Sequence, residues 1–388
     1  MQMEATQIIN SFPDRPGAYL HIPFCSTLCP FCPYNKVLYQ PDLVKRYFAA
    51  LNAEVACYVA QLDEPFSSLY IGGGTPTLCL DELAEIIANL PFTDECAIEV
   101  YPHHATPSRL RQMQQMGVNY VSLGIQSFDD TMLRYLQRPT TGARNRRAVE
   151  NTVGQFTCVD VDLIFDVGFA DESILLADLA LCFEYGVEQI STYPLMRFGF
   201  TPFGKSRHDR HKEHEVLRKA EDLAAGYGYL RQSVWTFNRR KAPHYSSITR
   251  PFYLGMGAGS ASYTGRYFLV NHFGLDQYIR TINQGRLPIA RKFRFPGLLS
   301  SAYAIFWQAY TGRIAIDQLT RQFGTIPGLL WRAIFNFFAL MHWVNKQEMV
   351  YVLTKRSRDH YHDLERWVTY HFIEPLWARI MQEHAEVA

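Results

Sequence analysis

The sequence predicts an α/β fold built around a parallel sheet, and two observations carry that reading. Short β-branched or aromatic runs alternate with helical stretches through the first half of the chain, which is the pattern of repeated βα units. Six such units rather than eight predict an open, partial (β/α)6 TIM-like barrel. Beyond about residue 295 the chain reads as helices carrying Trp307, Trp331, Trp343, Trp367 and Trp377, which predicts a smaller, mostly helical C-terminal domain with aromatics in its core. The expected division is a barrel domain over residues 1–290, with a glycine-rich segment after the barrel, and a C-terminal domain over residues 291–388.

The first strand is expected over residues 17–23 and delivers a cysteine-rich loop at its C-terminal end. Residues 42–61 read as a helix because Leu43, Tyr47, Leu51 and Val55 recur at helical spacing. A second strand is expected over residues 67–71, followed by a helix capped by Asp81 and running to about Asn89. After a third strand over residues 97–101, Thr106 and Pro107 supply an N-cap and a first-turn proline, and Gly117 supplies the stop. Residues 120–125, 159–165 and 189–193 give strands four to six. In such a barrel the functional residues gather at the C-terminal ends of the strands.

Composition narrows the class. The chain has 388 residues, 48% hydrophobic and 14% aromatic, enough for one large domain with an appendage. A formal net charge of +1 provides no global field for nucleic acid or an anionic membrane. Residues 1–16 lack a cationic region followed by an apolar stretch, so no signal peptide is expected. No membrane span is expected either, because the most apolar late stretch, residues 333–344, is about 12 residues long and is interrupted by Asn336 and His342. Cys57, Cys79, Cys96, Cys158 and Cys182 are scattered singletons. That suits a reducing compartment rather than a disulfide framework, and the expected location is cytoplasmic.

The other three cysteines are the most informative residues of the chain. Cys25, Cys29 and Cys32 lie in one run, His21-Ile22-Pro23-Phe24-Cys25-Ser26-Thr27-Leu28-Cys29-Pro30-Phe31-Cys32-Pro33-Tyr34. Three thiolates on one loop can hold three irons of a cubane 4Fe-4S cluster and leave the fourth iron without a protein ligand. A zinc site would pair such a run with a second CxxC or with histidines, and no second pair exists. The CxxxCxxC spacing resembles the signature of radical S-adenosylmethionine (SAM) enzymes, and residues 20–25 resemble the opening of the oxygen-independent coproporphyrinogen III oxidases and their HemN/HemW-like relatives. The resemblance implies a barrel of the radical SAM type in which the open iron is chelated by SAM. An electron from a flavodoxin- or ferredoxin-type donor then splits SAM into methionine and a 5'-deoxyadenosyl radical.

Further segments carry the same resemblance. Gly72-Gly73-Gly74-Thr75-Pro76-Thr77 matches the family's GGGTPT motif and implies that Gly73, Gly74 and Thr75 contact the methionine end of SAM, although a glycine run by itself is equally a tight turn. Glu99-Val100-Tyr101-Pro102 stands where the family has Glu-x-Asn-Pro, with Tyr101 as the departure, and implies that Glu99 accepts hydrogen bonds from SAM. Residues 122–128, Ser-Leu-Gly-Ile-Gln-Ser-Phe, with the downstream Arg138, resemble the S-L-G-x-Q-S-F block. They imply that Gln126 and Arg138 hold the ribose and the carboxylate, for which a planar guanidinium is suited. Asp162 is the acceptor implied at the end of strand five, where Asp166 and Phe169 replace the family's glycine and proline. Phe31 is implied to flank the adenine. Residues 255–263 resemble a segment that lines a second SAM pocket in some members, and a packed turn is the equal alternative.

Three jobs are carried on this scaffold: oxidative decarboxylation of porphyrin precursors, heme chaperoning, and methyl or methylene transfer to an sp2 carbon using two SAM molecules. Decarboxylases of the family show CxxxCxxCxC, and here Tyr34 stands at the extra cysteine. Tyr34 either relays a proton or hydrogen atom at the reacting centre or packs beside the cluster. Between strand six and the glycine-rich segment lie Arg197, Phe198, Phe200, Phe203, Trp235, Phe237, Asn238, Arg239, Arg240, His244 and Tyr245. This mixture either stacks on a conjugated small-molecule substrate, porphyrin-like or a natural-product intermediate, or forms a solvated loop with packed aromatics. The sequence reading leans to methyl or methylene transfer.

Overall fold

Strands β1 (Gly17–Ile22), β2 (Phe66–Gly73), β3 (Phe92–Val100), β4 (Tyr120–Gln126), β5 (Cys158–Phe165) and β6 (Gln189–Pro194) pair in chain order and all in parallel. The structure is a computed structural model describing residues 1–168, 172–204, 210–243 and 250–385. The six sequence-predicted strands are these six. The third begins earlier than expected, at Phe92.

Period-two alternation sorts the side chains of this sheet into two layers. Leu20, Ile22, Leu69, Ile71, Ile98, Val100, Val121, Leu123, Val159, Val161, Leu163 and Ile190 are buried in one contiguous apolar core with the helices outside the sheet. The alternate positions, Tyr19, His21, Tyr70, Glu99, Ser122, Asp160, Asp162, Ser191 and Tyr193, therefore line the concave face. Ala97, Tyr120 and Cys158, with Tyr70, pack together at the N-terminal end of that face. The apolar set anchors the barrel and the polar set furnishes its lumen.

The sheet runs on beyond the six strands on both sides. Strands β7 (Tyr229–Arg231) and β8 (Thr236–Arg239) extend it antiparallel from β6. On the other edge β9 (Tyr253–Met256) joins β1 in parallel, and β10 (Ala261–Tyr263), β11 (Tyr267–Asn271) and β12 (Ile289–Arg294) follow antiparallel. The outcome is a 12-stranded sheet.

Helices Pro41–Val59, Leu80–Asn89 and Pro107–Gln115 match the expected positions. Asp81 is not the cap of the second one. A 3-10 turn, Pro76–Cys79, runs into that helix, so Asp81 falls in its first turn and accepts a hydrogen bond from Gln112 Nε2 at 2.7 Å. Thr106 stands at the N-cap of the third, with its hydroxyl 3.3 Å from Ser108 Oγ and no bond to the helix backbone. Gly117 stops the segment at φ 87°, a left-handed conformation suited to glycine.

The C-terminal region holds helices Gly297–Tyr310, Ile316–Phe323, Thr325–Leu340, Lys355–Val368 and Glu374–Ala385 with a three-stranded antiparallel sheet of Arg313–Ala315, Val350–Leu353 and Val344–Gln347. Its seam with the barrel edge combines apolar packing with a buried polar network. Trp235 Nε1 donates to His362 Nδ1 at 2.9 Å, which leaves the ring proton on Nε2 to meet Glu213 Oε2 at 2.9 Å, and Arg366 pairs with the same carboxylate. Among the described residues no helix is long and apolar enough to cross a membrane.

Candidate active site at the C-terminal ends of the strands

The cysteine loop leaves β1 through a two-residue strand, Phe24–Cys25, that pairs in parallel with Val37–Leu38. This closes the loop at its base. His21 fastens it from below: Tyr19 donates to His21 Nδ1 at 2.9 Å, and Nε2–H donates to the Asn35 carbonyl at 2.9 Å. Burial lowers the His21 pKa to about 4, so the ring is neutral and both of its nitrogens are used. Asn35 Nδ2 in turn donates to the carbonyls of Ala258 and Phe273 at 3.2 and 3.0 Å. The glycine-rich segment is thereby a packed turn against the loop; a side chain at Gly257 would meet Tyr47 Oη at 2.5 Å and the His21 carbonyl at 2.7 Å.

Cys25 and Cys29 are buried and Cys32 partly so, and all three are free thiols. Burial pushes the Cys25 thiol up to about 11 and raises Cys32, while donors surround them. Thr75 Oγ1 lies 3.6 Å from Cys25 Sγ, Arg138 Nη1 lies 3.2 Å from Cys29 Sγ, and Lys36 Nζ binds the Cys32 carbonyl at 2.5 Å. These donors are suited to charge on sulfur once a metal displaces the protons. Among the described residues no three His, Cys, Asp or Glu side chains converge on one point as ligands of a single ion would. A cubane takes each thiolate on a different iron, so its ligands stand apart around the cluster and the donor set fits.

The glycine loop is dictated by packing against the concave face. Gly72 faces Glu99, whose Oε1 a Cβ would meet at 2.6 Å; Gly73, at φ 117°, faces the His21 ring at 2.7 Å; Gly74 presses on the backbone of Pro23 and Phe24 at 2.8 Å. Gly74 N donates to the Ile22 carbonyl and Thr75 N to the Phe24 carbonyl, both at 2.7 Å. The run thus bonds the end of β2 to the cysteine loop. Glu99 accepts from Tyr70 Oη at 2.8 Å and from Gly73 N at 3.1 Å, and burial lifts its pKa to about 7.

Arg138 and Gln126 converge over Gly124. A Cβ there would stand 3.2 Å from Arg138 Nη2 and from Gln126 Nε2. Gln126 takes a left-handed φ of 68° where β4 shifts register against β5, a conformation that a non-glycine residue adopts only when its surroundings hold it there. Arg138 donates to the Gly124 carbonyl at 2.9 Å, lies 4.5 Å over the Tyr101 ring, and has a buried Nε without a partner. Tyr101, the departure from the family pattern, thereby steers the guanidinium, and its own hydroxyl donates to the Pro139 carbonyl at 3.1 Å. Asp162 accepts from Ser122 Oγ at 2.6 Å, and its pKa is lifted to about 6 by burial despite Arg138.

Tyr34 is 57% exposed, yet burial raises its phenol pKa, with Glu99, Cys32, Asp162 and Glu365 adding to the effect. The ring stands at the mouth of the lumen, where helix Glu374–Ala385 meets the cysteine loop. Its ring centroid stands 5.8 Å from that of Trp377, which lies 5.9 Å from Phe198; Phe198 stacks on Phe200 at 5.3 Å. Phe31 packs against the apolar cluster of Met132, Leu136, Ile164, Val167 and Leu195. Sequence reasoning placed Trp377 with the other late tryptophans in the core and did not pair it with Tyr34, since nothing local to residues 374–385 signals that partner.

The rest of the linker divides. Trp235 and Phe237 are core residues, Arg197 pairs with Asp166, and Arg239 pairs with Glu188 at 2.7 Å. None of these four is offered to a ligand, which corrects the stacking alternative for them. Phe203 packs on Tyr135, Asn238 donates to Gln189 Oε1 at 2.9 Å, and Arg240 is exposed. Phe169, His244 and Tyr245 lie outside the described residues.

This arrangement of thiols, glycine turn and strand-end carboxylates has known counterparts. The sequence model of the radical SAM superfamily matches residues 19–165. Anaerobilin synthase of Escherichia coli O157:H7 is 26% identical over 79% of this chain and 74% of its own length. Heme chaperone HemW of Bacillus subtilis is 26% identical over 70% of this chain and 77% of its own, and oxygen-independent coproporphyrinogen III oxidase of Cereibacter sphaeroides is 25% identical over 72% and 69%. The solved structure of coproporphyrinogen III oxidase (HemN) from Escherichia coli shares the fold, with a TM-score of 0.78 at 20% identity over 92% of this chain and 91% of that chain. Residues 19–165 thus carry the radical SAM domain, and proteins of that class use SAM and a 4Fe-4S cluster as cofactors. Over a wider span the chain is similar to these HemN and HemW proteins at 25–26% identity, and it shares the fold of HemN.

Proposed function

We propose that this enzyme transfers a methyl or methylene carbon from SAM to an sp2 carbon of a conjugated, porphyrin-like small molecule. Cys25, Cys29 and Cys32 hold the cluster; Gly73, Gly74, Thr75, Glu99, Gln126, Arg138 and Asp162 position SAM, with Phe31 beside its adenine. The cluster with SAM bound supplies reductive cleavage to a 5'-deoxyadenosyl radical. The chain's own residues do the rest. Arg138, with Nε buried and unpartnered, pairs with the SAM carboxylate while remaining on Cys29. Glu99, raised to about 7 by burial, accepts from the SAM ammonium or ribose in its ionised form. Trp377 and Tyr34 stand at the mouth of the lumen and exclude water from the radical. Whether one or two SAM molecules bind is part of the same proposal, and two are expected for this reaction.

The observation that weighs against decarboxylation is Tyr34, which stands where the decarboxylating pattern has its extra cysteine; an aromatic there suits methyl transfer and heme chaperoning alike, and the product inventory separates those two. The test is a product inventory after anaerobic reconstitution with SAM, a reductant and a porphyrin substrate. S-adenosylhomocysteine formed together with 5'-deoxyadenosine is the expected result. Carbon dioxide with 5'-deoxyadenosine and no S-adenosylhomocysteine would replace this reading with decarboxylation. Stoichiometric heme binding with little coupled turnover would replace it with chaperoning, the activity that the HemW relatives' name states.

A further inference from the structure

We propose that the exposed apolar face of helix Thr325–Leu340 binds a second copy of this chain, giving a two-fold dimer joined through the C-terminal region. Ile326, Leu329, Phe337 and Leu340 are 82%, 57%, 58% and 78% exposed, and Leu330, Ala333 and the C-cap residue Met341 are exposed beside them. At spacings of three, four and seven residues, all seven share one face of the helix. The opposite face is held by its own domain. Gly328 presses on Thr320 of the preceding helix, Phe335 is buried, Trp331 Nε1 donates to Ser301 Oγ at 2.8 Å, and Asn336 Oδ1 accepts from Tyr351 Oη at 2.7 Å.

The size of the stripe is that of an interface. Counting roughly 150–200 Å² for each large apolar side chain, these exposures leave on the order of 600 Å² of apolar surface uncovered. That is the upper end of the largest patch on a typical monomer, about 300–600 Å². It is also most of the about 800 Å² that each partner gives to a standard interface.

The stripe is its own complement. Leu329 and Phe337 stand four residues either side of Ala333, and Ile326 and Leu340 stand seven either side. A two-fold axis crossing at Ala333 brings two antiparallel copies together with Leu329 on the partner's Phe337 and Ile326 on the partner's Leu340, an isologous contact. Alanine at the crossing point lets the two backbones approach, and antiparallel helices set their dipoles favourably. Charge selects the same occupant. The one charged residue of the helix, Arg332, lies off the stripe and pairs with Asp317 at 3.6 Å. An uncharged stripe offers nothing to an acidic or basic partner, and a helix that lies on anionic lipid carries several lysines or arginines along its polar face.

The test is the mass of the anaerobically reconstituted protein in solution. Light scattering on the eluting peak should give twice the 44.8 kDa of one chain. Phe337→Glu puts a charge into the seam twice by symmetry and should weaken association about a hundredfold or more, with iron content and SAM cleavage kept as evidence of folding. If F337E does not fold, Ile326→Glu, at the most exposed position, replaces it. A short bismaleimide should link A333C to its own copy and leave I326C unlinked, because only Ala333 lies on the axis. The native thiols do not interfere, since seven are buried and Cys32 holds the cluster. A single-chain mass for the wild type overturns the proposal, as does a dimer that survives the charge substitution or links at Ile326 as readily as at Ala333. Vesicles of phosphatidylcholine and phosphatidylglycerol are the remaining probe: a wild-type monomer that pellets with them, when F337E does not, would overturn the dimer and assign the face to a membrane surface. All of these outcomes leave the radical reading as it stands.

Discussion

The Tyr34 ring lies 5.8 Å from that of Trp377 at an interplanar angle of 59°, so the last helix of the chain closes over the first loop of the barrel. Removing the indole opens the mouth of the lumen without touching a cysteine or a strand-end carboxylate. For Trp377→Ala the expected loss of stability is about 1–3 kcal/mol, that of a partly buried aromatic. The larger effect falls on coupling: the ratio of 5'-deoxyadenosine to alkylated product should rise as water and buffer quench the radical. An unchanged ratio would show that the helix does not close the mouth of the lumen.

Arg138 bridges the Gly124 carbonyl and Cys29 Sγ with two arms of one planar group over Tyr101. Lysine carries one point charge and cannot span both. Arg138→Lys is expected to retain iron and sulfide and to weaken SAM binding about tenfold, equivalent to about 1.4 kcal/mol. Equilibrium dialysis checks it, with cluster absorbance as the control; tight SAM binding in this variant contradicts the assignment.

Gly74→Ala tests the packing role of the glycine loop. The new Cβ meets backbone atoms of Pro23 and Phe24 at 2.8 Å, which cannot swing aside as a side chain would. Overpacking of about 1–3 kcal/mol is expected, and it falls on the segment that leads into Cys25. Thermal unfolding of the apoprotein and iron content after reconstitution should both drop. A variant of native stability and full iron content argues that the turn relaxes freely.

His21 sets a pH dependence. Its folded pKa of about 4 lies below the ordinary imidazole value of 6.5, so between these values the unfolded chain binds a proton that the folded chain does not. Stability from this group is complete above about pH 6.5 and is lost as the pH falls toward 4, by about 3 kcal/mol in all. Raised carboxyls such as Glu54 and Glu99, each at about 7, act in the opposite sense, losing stability as the pH rises. Comparing variants isolates the histidine: the Tm gap between wild type and His21→Gln should narrow as the pH falls from about 7 to about 4.5. A constant gap would mean that the ring titrates alike in the folded and unfolded chain.

Much of the barrel was readable because its information is local. Alternation at period two marks the strands, and the same alternation sends Glu99 and Asp162 inward while Val100 and Val161 go to the helices. The Asp81 cap misled because it assumed that the helix starts at the first capping residue, whereas a proline turn from Pro76 had already wound the chain. Strands β7 to β12 carried no distinct signal, since short strands such as Tyr229–Arg231 are defined by their neighbours rather than by their own pattern. The glycine run was recognised as a motif, but its partners were not, because they come from two other strands.

By itself the sequence determined the three-thiol loop, the six parallel strands and the residues turned toward their lumen, since cysteine spacing and side-chain period are properties of a short stretch. The tertiary structure alone decided that Tyr101 steers Arg138 and that Trp377 comes from the far end of the chain to stand against Tyr34. Those relations depend on how the C-terminal helices dock across the seam of Trp235, His362 and Glu213, and docking is fixed by buried shape and paired charge over long sequence separations that no local pattern encodes.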